Sequence, residues 1–345
     1  MLNQENNKFC VWVRCMTYNH APYITDALDG FAMQQTSFPF ICTIIDDDST
    51  DGEQEVINKY MEEHFDLSDS AVVRFEDTDD YHLVFARHKT NYNCFFAVYY
   101  LKYNHYSIKK SKLPYLAEWQ NVSKYIALCE GDDFWTDTLK LQKQVHFLDN
   151  NNDYVLTYSD ASIVDERGQQ INARKSKRTS GDCTENLLLN GNFIITATVL
   201  FRAHLQSAWN YHRKGIPFDL KMGDKPMWLF LSKKGRFHYI ENEMVSYRVL
   251  KNSASHFNTL ADALSFIENG YKINSYYCKL YNIKISPKRL KKNYLKMRVR
   301  CAAKYSRKDF SLVLFDSIRQ DPCLLFSKRI LIVSLTKLFT NFNFL

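Results

Sequence analysis

The 345-residue sequence predicts an α/β protein in which a mixed, mainly parallel sheet is flanked by helices and followed by a helical C-terminal extension. Up to about residue 257, short apolar runs alternate with segments of helical spacing, which is typical of strand–helix–strand units. From Thr259 onward the pattern is helical and basic, and no strand is predicted. We therefore expect domains at 1–257 and 258–345. A hydrophobic content of 46% and a charged content of 24% exclude a disordered or fibrous chain.

Strands and helices alternate in the first quarter of the chain. Phe9–Met16 is a short run of β-forming apolar residues and predicts a buried strand. Tyr23–Gln34 carries apolar residues at helical spacing. A second strand is predicted at Phe38–Ile45, a helix with one apolar face at Glu53–His64, and a third strand at Val72–Phe75. The short links between these elements favour parallel strands with helices on the faces of the sheet.

The pattern is less regular in the middle of the chain. Asn93–Tyr103 is predicted to be a helix. Ser107–Trp119 is predicted to be a loop-like insertion with three exposed lysines, Lys109, Lys110 and Lys112. The later elements are strands at Tyr125–Cys129, Tyr154–Tyr158, Ile194–Phe201 and Phe237–Tyr247, and helices at Leu139–Asn150 and from near Asp224.

The net charge of +7 is unevenly distributed. Residues 282–345 contain 15 lysines and arginines against 3 acidic residues, a charge of +12, so residues 1–281 sum to −5. Nucleic acid would be attracted to the basic tail. However, the tail contains no recognisable nucleic-acid-binding module and residues 1–281 are acidic, so we expect no nucleic acid partner. The tail then either packs as a coat of helices on the domain or attaches peripherally to an anionic membrane surface.

Several features bear on location. The first ten residues lack the basic start and apolar core of a signal peptide, and no stretch reaches the roughly 20 apolar residues that span a bilayer. The nine cysteines include no C-x-x-C pair, which favours buried, reduced thiols over a zinc or redox site. We expect a cytoplasmic protein, on the inner face of the cell membrane if the tail binds lipid.

Carboxylates follow the predicted strands, and the common glycine-rich phosphate loops are absent. Neither G-x-G-x-x-G nor G-x-x-x-x-G-K occurs, so phosphates would be handled through a metal held by carboxylates. Asp46-Asp47-Asp48 and Asp132-Asp133 each follow a strand, and Asp224 stands at a predicted helix start. Each group alone is compatible with helix capping. Two clusters of carboxylates at one sheet edge, however, repel each other unless a cation or a polar ligand binds between them.

Four segments, in order and spacing, resemble the family 2 glycosyltransferases of bacteria: V-W-V-R-C-M-T-Y-N-H-A-P-Y-I, I-I-D-D-D-S-T-D-G, Y-I-A-L-C-E-G-D-D-F-W and G-D-K-P-M-W. The resemblance covers roughly Phe9 to His256, and E-G-D-D-F-W-T-D-T-L-K-L-Q-K-Q resembles a subgroup of polysaccharide biosynthesis. It implies the GT-A fold, with a Rossmann-like sheet. It also implies an inverting transfer of sugar from a nucleotide-diphosphate donor to a hydroxyl of a growing polysaccharide or lipid-linked oligosaccharide.

The resemblance implies a nucleotide pocket after the first two strands. Thr17, Tyr18 and Asn19 match the base pocket, in which a tyrosine ring lies against the base, with uracil favoured. Asp47 matches the acid that accepts a hydrogen bond from the base N–H. The family has glycine where this chain has Asp48, at a position that often needs an unusual backbone shape, and aspartate tolerates that shape better than most residues.

The resemblance also implies roles for the remaining acids. Asp133 matches the ligand of a Mn²⁺ or Mg²⁺ that bridges the donor phosphates, and Asp132 matches a contact to the ribose or sugar. Asp224 matches the general base that takes a proton from the acceptor hydroxyl, although capping of the following helix is an alternative role.

Three further positions match the family less specifically. Asn93 falls where relatives have an asparagine near the nucleotide, although asparagine also begins helices. Arg248 and His256 lie where relatives close the site over the diphosphate, with His256 as a weaker metal-ligand match. A single histidine is more often a surface or core residue than a ligand.

Two other functions stay open from the sequence. A sugar-nucleotide nucleotidyltransferase has a related fold and metal chemistry, but it normally carries a glycine-rich, basic loop where this chain has T-Y-N-H-A-P. A non-catalytic relative that binds sugars or serves as a scaffold has no need for a base such as Asp224.

Overall fold

The computed structural model describes residues 8–68, 70–174, 188–189, 191–250, 257 and 259–339. They fall into two compact units, one from Met1–Ile216 and Phe230–Val249, the other from Pro217–Leu229 and Leu250–Leu345. The predicted division after residue 257 follows chain order, whereas these units interleave along the chain. Asp224 therefore belongs to the second unit.

The first unit is built on a mixed sheet of 11 strands in the described residues. The strands are β1 (Phe9–Thr17), β2 (Phe40–Asp46), β3 (Arg74–Asp77), β4 (Tyr81–Arg87), β5 (Cys94–Leu101), β6 (Ser123–Leu128), β7 (Phe134–Trp135), β8 (Tyr154–Val164), β9 (Gln170–Arg174), β10 (Leu200–Arg202) and β11 (Arg236–Arg248). Their order is β3-β4-β5-β2-β1-β6-β10-β8-β11-β7, with β9 paired to β8.

Four neighbouring strands, β5, β2, β1 and β6, run parallel. Thr17 at the end of β1 lies beside Asp46 at the end of β2, and Asp46 lies beside Tyr100 near the end of β5. The carboxyl ends of these strands therefore share one edge of the sheet. Val11, Val13, Phe40 and Cys42 are fully buried within this block.

Helices cover the sheet and make up most of the second unit. In the first unit they are α1 (Ile24–Ala32), α2 (Glu53–His64), α3 (Leu113–Asn121), α4 (Lys140–Asn150) and α5 (His204–Lys214). Next come α6 (Asp224–Leu231), α7 (Leu260–Leu280), α8 (Pro287–Ala302), α9 (Arg307–Gln320), a 3₁₀ turn (Pro322–Phe326) and α10 (Lys328–Phe339). As predicted, every described element after residue 259 is helical. No described helix has the length and apolar character to cross a membrane.

Asn269 of α7 ties an earlier stretch of chain to the C-terminal helices. Its side-chain oxygen accepts a hydrogen bond from the backbone N–H of Lys221 at 2.9 Å, and its side-chain amide donates to the carbonyl of Asp219 at 2.6 Å. Asn269 is buried, so both bonds are protected from water. The segment before α6 is thereby held within the second unit.

The predicted helix at Asn93–Tyr103 is wrong. Cys94–Leu101 forms β5, which pairs with β2 on one side and β4 on the other. Seven of its eight residues are buried, so the apolar run lacks the alternation of a half-exposed strand. Such a run cannot be distinguished from a buried helix by periodicity, and its aromatic and β-branched residues favour the strand.

Two other predictions in the middle of the chain also need correction. The insertion Ser107–Trp119 is not entirely loop, because α3 begins at Leu113 with a proline in its first turn, where the missing N–H costs nothing. In the predicted strand Ile194–Phe201, residues Thr196–Thr198 form a 3₁₀ turn and the strand starts only at Leu200.

The short strand β7 is packed tightly against α1. Trp135 donates from its indole N–H to the carbonyl of Ala197 at 3.0 Å, and its ring lies edge-on to Phe31 with centroids 4.9 Å apart. A Cβ added to Gly30 of α1 would lie 2.8 Å from the backbone nitrogen of Trp135. Only glycine therefore allows the helix to approach β7 this closely.

We expect alanine to have opposite effects at two helical glycines. Alanine is favoured over glycine in helices by about 1 kcal/mol. At Gly270 of α7 the nearest atom to a new Cβ, Cε of Met222, is 3.7 Å away, so Gly270→Ala should raise the free energy of unfolding by up to about 1 kcal/mol. Gly30→Ala should lower it by about 1–2 kcal/mol through overpacking. Urea denaturation measures both, and equal stabilisation would contradict the packing of α1 on β7.

Lys140 is a fully buried lysine beneath the same tryptophan. Its ammonium lies 4.1 Å from the centroid of the Trp135 ring and donates to Oε1 of Gln144 at 2.8 Å. Burial lowers the pKa of Lys140 from its ordinary value of 10.5 to about 7. Above that pH the folded protein holds the amine neutral while the unfolded chain keeps it protonated.

The stability of the protein should therefore depend on pH through Lys140. Because the unfolded chain binds the extra proton, the free energy of unfolding should rise between about pH 7 and pH 10, by up to ~1.4 kcal/mol per pH unit. Lys140→Met should remove this slope. Lys143→Met, on the same helix, is the control and should keep it. Urea denaturation at pH 7, 8 and 9 makes the comparison, and an unchanged slope in Lys140→Met would refute it.

Candidate functional site

Loops that follow β1, β2, β5 and β6 meet at the carboxyl edge of the four parallel strands. Asp47 donates its backbone N–H to the carbonyl of Thr17 at 3.1 Å, and Gly131 donates its own to Met16 at 3.2 Å. Six predicted site residues lie at this edge: Thr17, Tyr18, Asn19, Asp47, Asp132 and Asp133.

Glu53, the first residue of α2, joins the loops after β1 and β2. Its buried carboxylate accepts hydrogen bonds from the hydroxyl of Thr17, the backbone N–H of His20 at 2.9 Å and the hydroxyl of Ser49 at 2.9 Å. Burial raises the pKa of Glu53. The sequence does not mark Glu53 as a site residue, because an acid in the first turn of a helix has an ordinary explanation in the helix dipole.

Two residues of these loops adopt left-handed backbone conformations, Asn19 with φ 56° and Asp48 with φ 62°. The expectation of an unusual backbone at Asp48 is confirmed. Asn19 also connects the loops, since its side-chain oxygen accepts from the backbone N–H of Thr50 at 2.8 Å. Tyr18, next to it, is 44% exposed, so its ring is accessible to a ligand.

Asp47 is buried and its carboxylate is already engaged by the loop after β5. Oδ1 accepts from the backbone N–H of His105 at 2.9 Å. Oδ2 accepts from the backbone N–H of Tyr106 at 3.1 Å and from the ammonium of Lys112 at 2.7 Å. A carboxylate has about four acceptor positions, and three of these are occupied. One position therefore remains for a ligand, and a second becomes available if Lys112 moves away.

The expectation that Lys112 is an exposed loop lysine is therefore wrong. Its side chain is 19% exposed, and its partner Asp47 is 7% exposed. Lys110 also makes an ion pair, with Asp80 at 2.7 Å, whereas Lys109 is exposed as expected. Lys112 and Asp47 are 65 residues apart, and no local pattern signals the contact.

The turn Glu130–Asp133 after β6 brings three acidic residues together, and one of them, Asp133, is buried. Asp133 is 3% exposed, and its Oδ1 accepts from the backbone N–H of Arg248 at 2.9 Å. Burial and the charges of Asp132 and Glu130 raise the pKa of Asp133 well above its ordinary range. A Cβ on Gly131 would lie 2.2 Å from Oγ1 of Thr17, so the turn rests directly on the end of β1.

Arg248, the last residue of β11, is 3% exposed and is hydrogen-bonded to this turn. Its guanidinium donates to the carbonyl of Asp132 at 3.0 Å, the carbonyl of Glu166 at 3.1 Å and the carboxylate of Asp26 at 2.5 Å. It also lies over the ring of Tyr23, 4.7 Å from the centroid. In this structure Arg248 therefore supports the acidic turn.

The donor set of the turn fits a divalent cation such as Mn²⁺ or Mg²⁺. Carboxylate oxygens are hard ligands, and a cation would offset the burial and the repulsion from Asp132 and Glu130 that together raise the pKa of Asp133. In the described part of the chain, no group of three or more histidine, cysteine, aspartate or glutamate side chains is arranged to hold a metal. Sites of the Mg²⁺ type need only one or two carboxylates, because substrate phosphates complete the coordination.

Of the other three predicted site residues, Asn93 is the one that the structure places away from this edge. Asn93 precedes β5, about 20 Å along the strand from the acidic groups, and its side chain donates to the carbonyl of Thr36 at 2.7 Å. Asp224 begins α6 in the second unit, and its Oδ1 accepts from the backbone N–H of Lys225 at 2.7 Å. His256 lies outside the described residues.

Sequence comparison finds relatives without a known activity. No protein-family profile matches the chain. Three uncharacterised proteins, one from Mycobacterium bovis and two from strains of Mycobacterium tuberculosis, are each 29% identical over 192 residues, or 54% of this chain. The match covers 45% of each relative, so the chain spans less than half the length of these relatives.

Structural comparison gives a fold similar to that of S. aureus TarS 1-349. The complex with UDP-GlcNAc has a TM-score of 0.52 and 15% identity, covering 95% of this chain and 85% of TarS. The complex with UDP has a TM-score of 0.51 and 17% identity, over 95% and 87%. The chain shares the TarS fold. The predicted fold class is thereby confirmed. The mannosyltransferase PcManGT from Pyrobaculum calidifontis, in complex with GDP-Man and Mn²⁺, has a TM-score of 0.48 and 13% identity, over 97% and 88%.

The ion pair of Lys112 with Asp47 should show strong energetic coupling. In a double-mutant cycle of Lys112→Met and Asp47→Asn, we expect a coupling energy of about 1–2 kcal/mol, because either single change leaves a partner buried without its counter-charge. The free energy of unfolding from urea denaturation gives the coupling. The exposed Lys109→Met, in the same loop, is the control and should change stability by less than about 0.5 kcal/mol. Coupling near zero would show that the pair does not form.

Proposed function

We propose that the protein is an inverting, metal-dependent glycosyltransferase. It transfers a sugar from a nucleotide-diphosphate donor to a hydroxyl of a growing polysaccharide or lipid-linked oligosaccharide. The observation that carries the proposal is the acidic turn in which Asp133 is buried next to Asp132 and both are hydrogen-bonded by Arg248 at the carboxyl edge of the parallel strands. Ligands of open parallel sheets bind at this edge. The TarS structures that share the fold are complexes with UDP-GlcNAc and UDP, which favours a uridine nucleotide.

The donor base binds in the loops after β1 and β2. The exposed ring of Tyr18 offers an apolar face for stacking, and the loop around it is held by Glu53 and Asn19. Asp47 accepts the base N–H at its remaining acceptor position, or at Oδ2 after Lys112 moves aside. The rigid loops reduce the ordering that binding requires.

The donor diphosphate binds at the acidic turn. Asp133 would hold a Mn²⁺ or Mg²⁺, which when bound neutralises the charge of the leaving diphosphate, and Asp132 would contact the ribose or sugar. Arg248 keeps the Asp133 carboxylate in place through its backbone N–H and keeps the turn in place through its guanidinium. A positioned carboxylate loses no rotational freedom when the donor arrives.

Asp224 acts as the general base. Its carboxylate takes the proton of the acceptor hydroxyl while that oxygen attacks the anomeric carbon from the face opposite the diphosphate. The bond from the anomeric carbon to the diphosphate oxygen breaks as the new glycosidic bond forms, so the configuration inverts. Base catalysis of this kind is typically worth about 10²–10⁴ in rate.

Substitution of the acids should separate donor binding from transfer. Asp224→Asn should lower the rate of transfer by about 10²–10⁴ and leave donor binding within about twofold. Asp133→Asn, which keeps an oxygen for the Arg248 N–H, should abolish the dependence of donor binding on Mn²⁺. The measurements are calorimetric titration of UDP-, GDP- and dTDP-sugars with Mn²⁺ or EDTA, and the rate of hydrolysis of the donor that binds, which reports transfer with water as the acceptor.

Asp153→Asn is the matched control, because Asp153 is an exposed acid that pairs with Arg236 away from the carboxyl edge. It should change neither binding nor hydrolysis. If no nucleotide sugar binds with either metal, the glycosyltransferase proposal is wrong. If a donor binds but Asp224→Asn retains full transfer, Asp224 is not the base.

A further inference from the structure

A pocket of about 490 Å³ in the second unit is lined by α8, the 3₁₀ turn Pro322–Phe326 and the start of α10. Six of its lining residues carry the argument: Lys292, Lys296, Arg300, Lys328, Arg329 and Phe326. We propose that this basic pocket, with the exposed apolar side chains beside it, docks the protein on an anionic phospholipid bilayer and receives a lipid phosphate. The proposal is independent of the glycosyltransferase activity.

The charge of the basic pocket is uncompensated within the described chain. Five cationic side chains line it, and no acidic side chain does. None of the five forms an ion pair with a described residue, whereas Arg298, also on α8, pairs with Asp316 at 2.7 Å. Gathering five like charges is unfavourable without an anion. A phosphate with several acceptor oxygens satisfies both lysines and arginines.

An exposed apolar surface continues from the basic pocket. Phe326, which lines the pocket, is 87% exposed, and its neighbour Leu325 is 48% exposed. On α10, Leu331, Ile332 and Leu335 are 45%, 54% and 56% exposed. At 100° per residue these three side chains share one face of the helix.

The opposite face of α10 is already used by the fold. Ile330 is 2% exposed, and it packs with Val299 and Phe310 in the core of the second unit, with Val333 against them. The exposed face of Leu331, Ile332 and Leu335 is therefore not needed to hold α10 in place. Exposed apolar side chains that adjoin an interaction surface typically mark a docking site.

The combination of a basic pocket with exposed apolar side chains favours a bilayer over other anionic partners. A soluble polyphosphate or nucleic acid would use the cations but would leave Phe326 and the apolar face of α10 in water. A bilayer interface accepts both, because lysines and arginines meet the phosphates while phenylalanine and leucine enter the acyl boundary. No described helix can cross the bilayer, so the contact is with its surface.

Vesicle co-sedimentation of the full chain tests the proposal. We expect binding to phosphatidylcholine vesicles that contain phosphatidylglycerol, and little binding to phosphatidylcholine alone. Lys296→Gln with Arg300→Gln should weaken binding about 30-fold. Lys284→Gln with Lys288→Gln removes the same charge from exposed tail positions outside the pocket, and it should weaken binding by less than about fivefold.

A second pair of variants tests the apolar part. Phe326→Ser should weaken binding to anionic vesicles about tenfold or more. Phe315→Ser, at a 71% exposed phenylalanine of α9 outside the pocket, should not. Both side chains are largely exposed, so thermal unfolding should show intact folding in each variant.

Three outcomes would overturn the proposal. The first is absence of binding to anionic vesicles by the folded wild-type chain. The second is equal weakening of vesicle binding by the double variant Lys296→Gln with Arg300→Gln and by its control, Lys284→Gln with Lys288→Gln. That result would assign binding to the overall charge of the tail. The third is pocket-dependent binding of inorganic polyphosphate or RNA that exceeds vesicle binding and ignores Phe326→Ser, which would identify a soluble polyanion as the ligand.

Discussion

The candidate site depends on one interaction, the attachment of Arg248 to the acidic turn. Asp133 is almost completely buried beside two other carboxylates, a placement that is costly unless a donor compensates it. Arg248 supplies its backbone N–H to Asp133 and its guanidinium to the carbonyl of Asp132. The bond to Asp133 spans 115 residues of chain, so the turn after β6 acquires its shape only when β11 has joined the sheet. Folding of the distant half of the sheet therefore assembles the site.

Hydrogen bonds to buried carboxylates also hold the neighbouring loops together. Glu53 is buried and joins the loop after β1 to the loop after β2, while Asp47 joins the loop after β2 to the loop after β5. In both cases a carboxylate binds N–H and O–H donors from loops that the parallel strands bring to one edge. The protein's own hydrogen bonds thus hold these short loops to one another, which is the pre-organisation that accurate recognition requires.

Sequence patterns predicted those parts of the molecule that depend on local chemistry. The acids Asp47 and Asp133 follow strands, as the pattern predicted, and the unusual backbone expected at Asp48 is present as a left-handed conformation. Residues whose importance arises from contacts distant in sequence were not predicted, as with Glu53 and Lys112. The error at β5 has a related cause, because a strand covered on both faces loses its alternation and resembles a buried helix. Asn93, which the resemblance placed near the nucleotide, precedes β5 and so lies at the opposite edge of the parallel strands.

The interleaving of the two units restricts how the chain can be shortened. Pro217–Leu229 belongs with the C-terminal helices, and Asn269 of α7 forms hydrogen bonds with Asp219 and Lys221 of that segment. A chain ended near residue 257 would keep the whole sheet but would remove α7 and both of these bonds. The segment that carries Asp224 would then lose its support, although it lies well inside the retained sequence. Under the proposed function, such a truncated protein would bind nucleotide but transfer no sugar, because the support of Asp224 is lost although every predicted site residue is present.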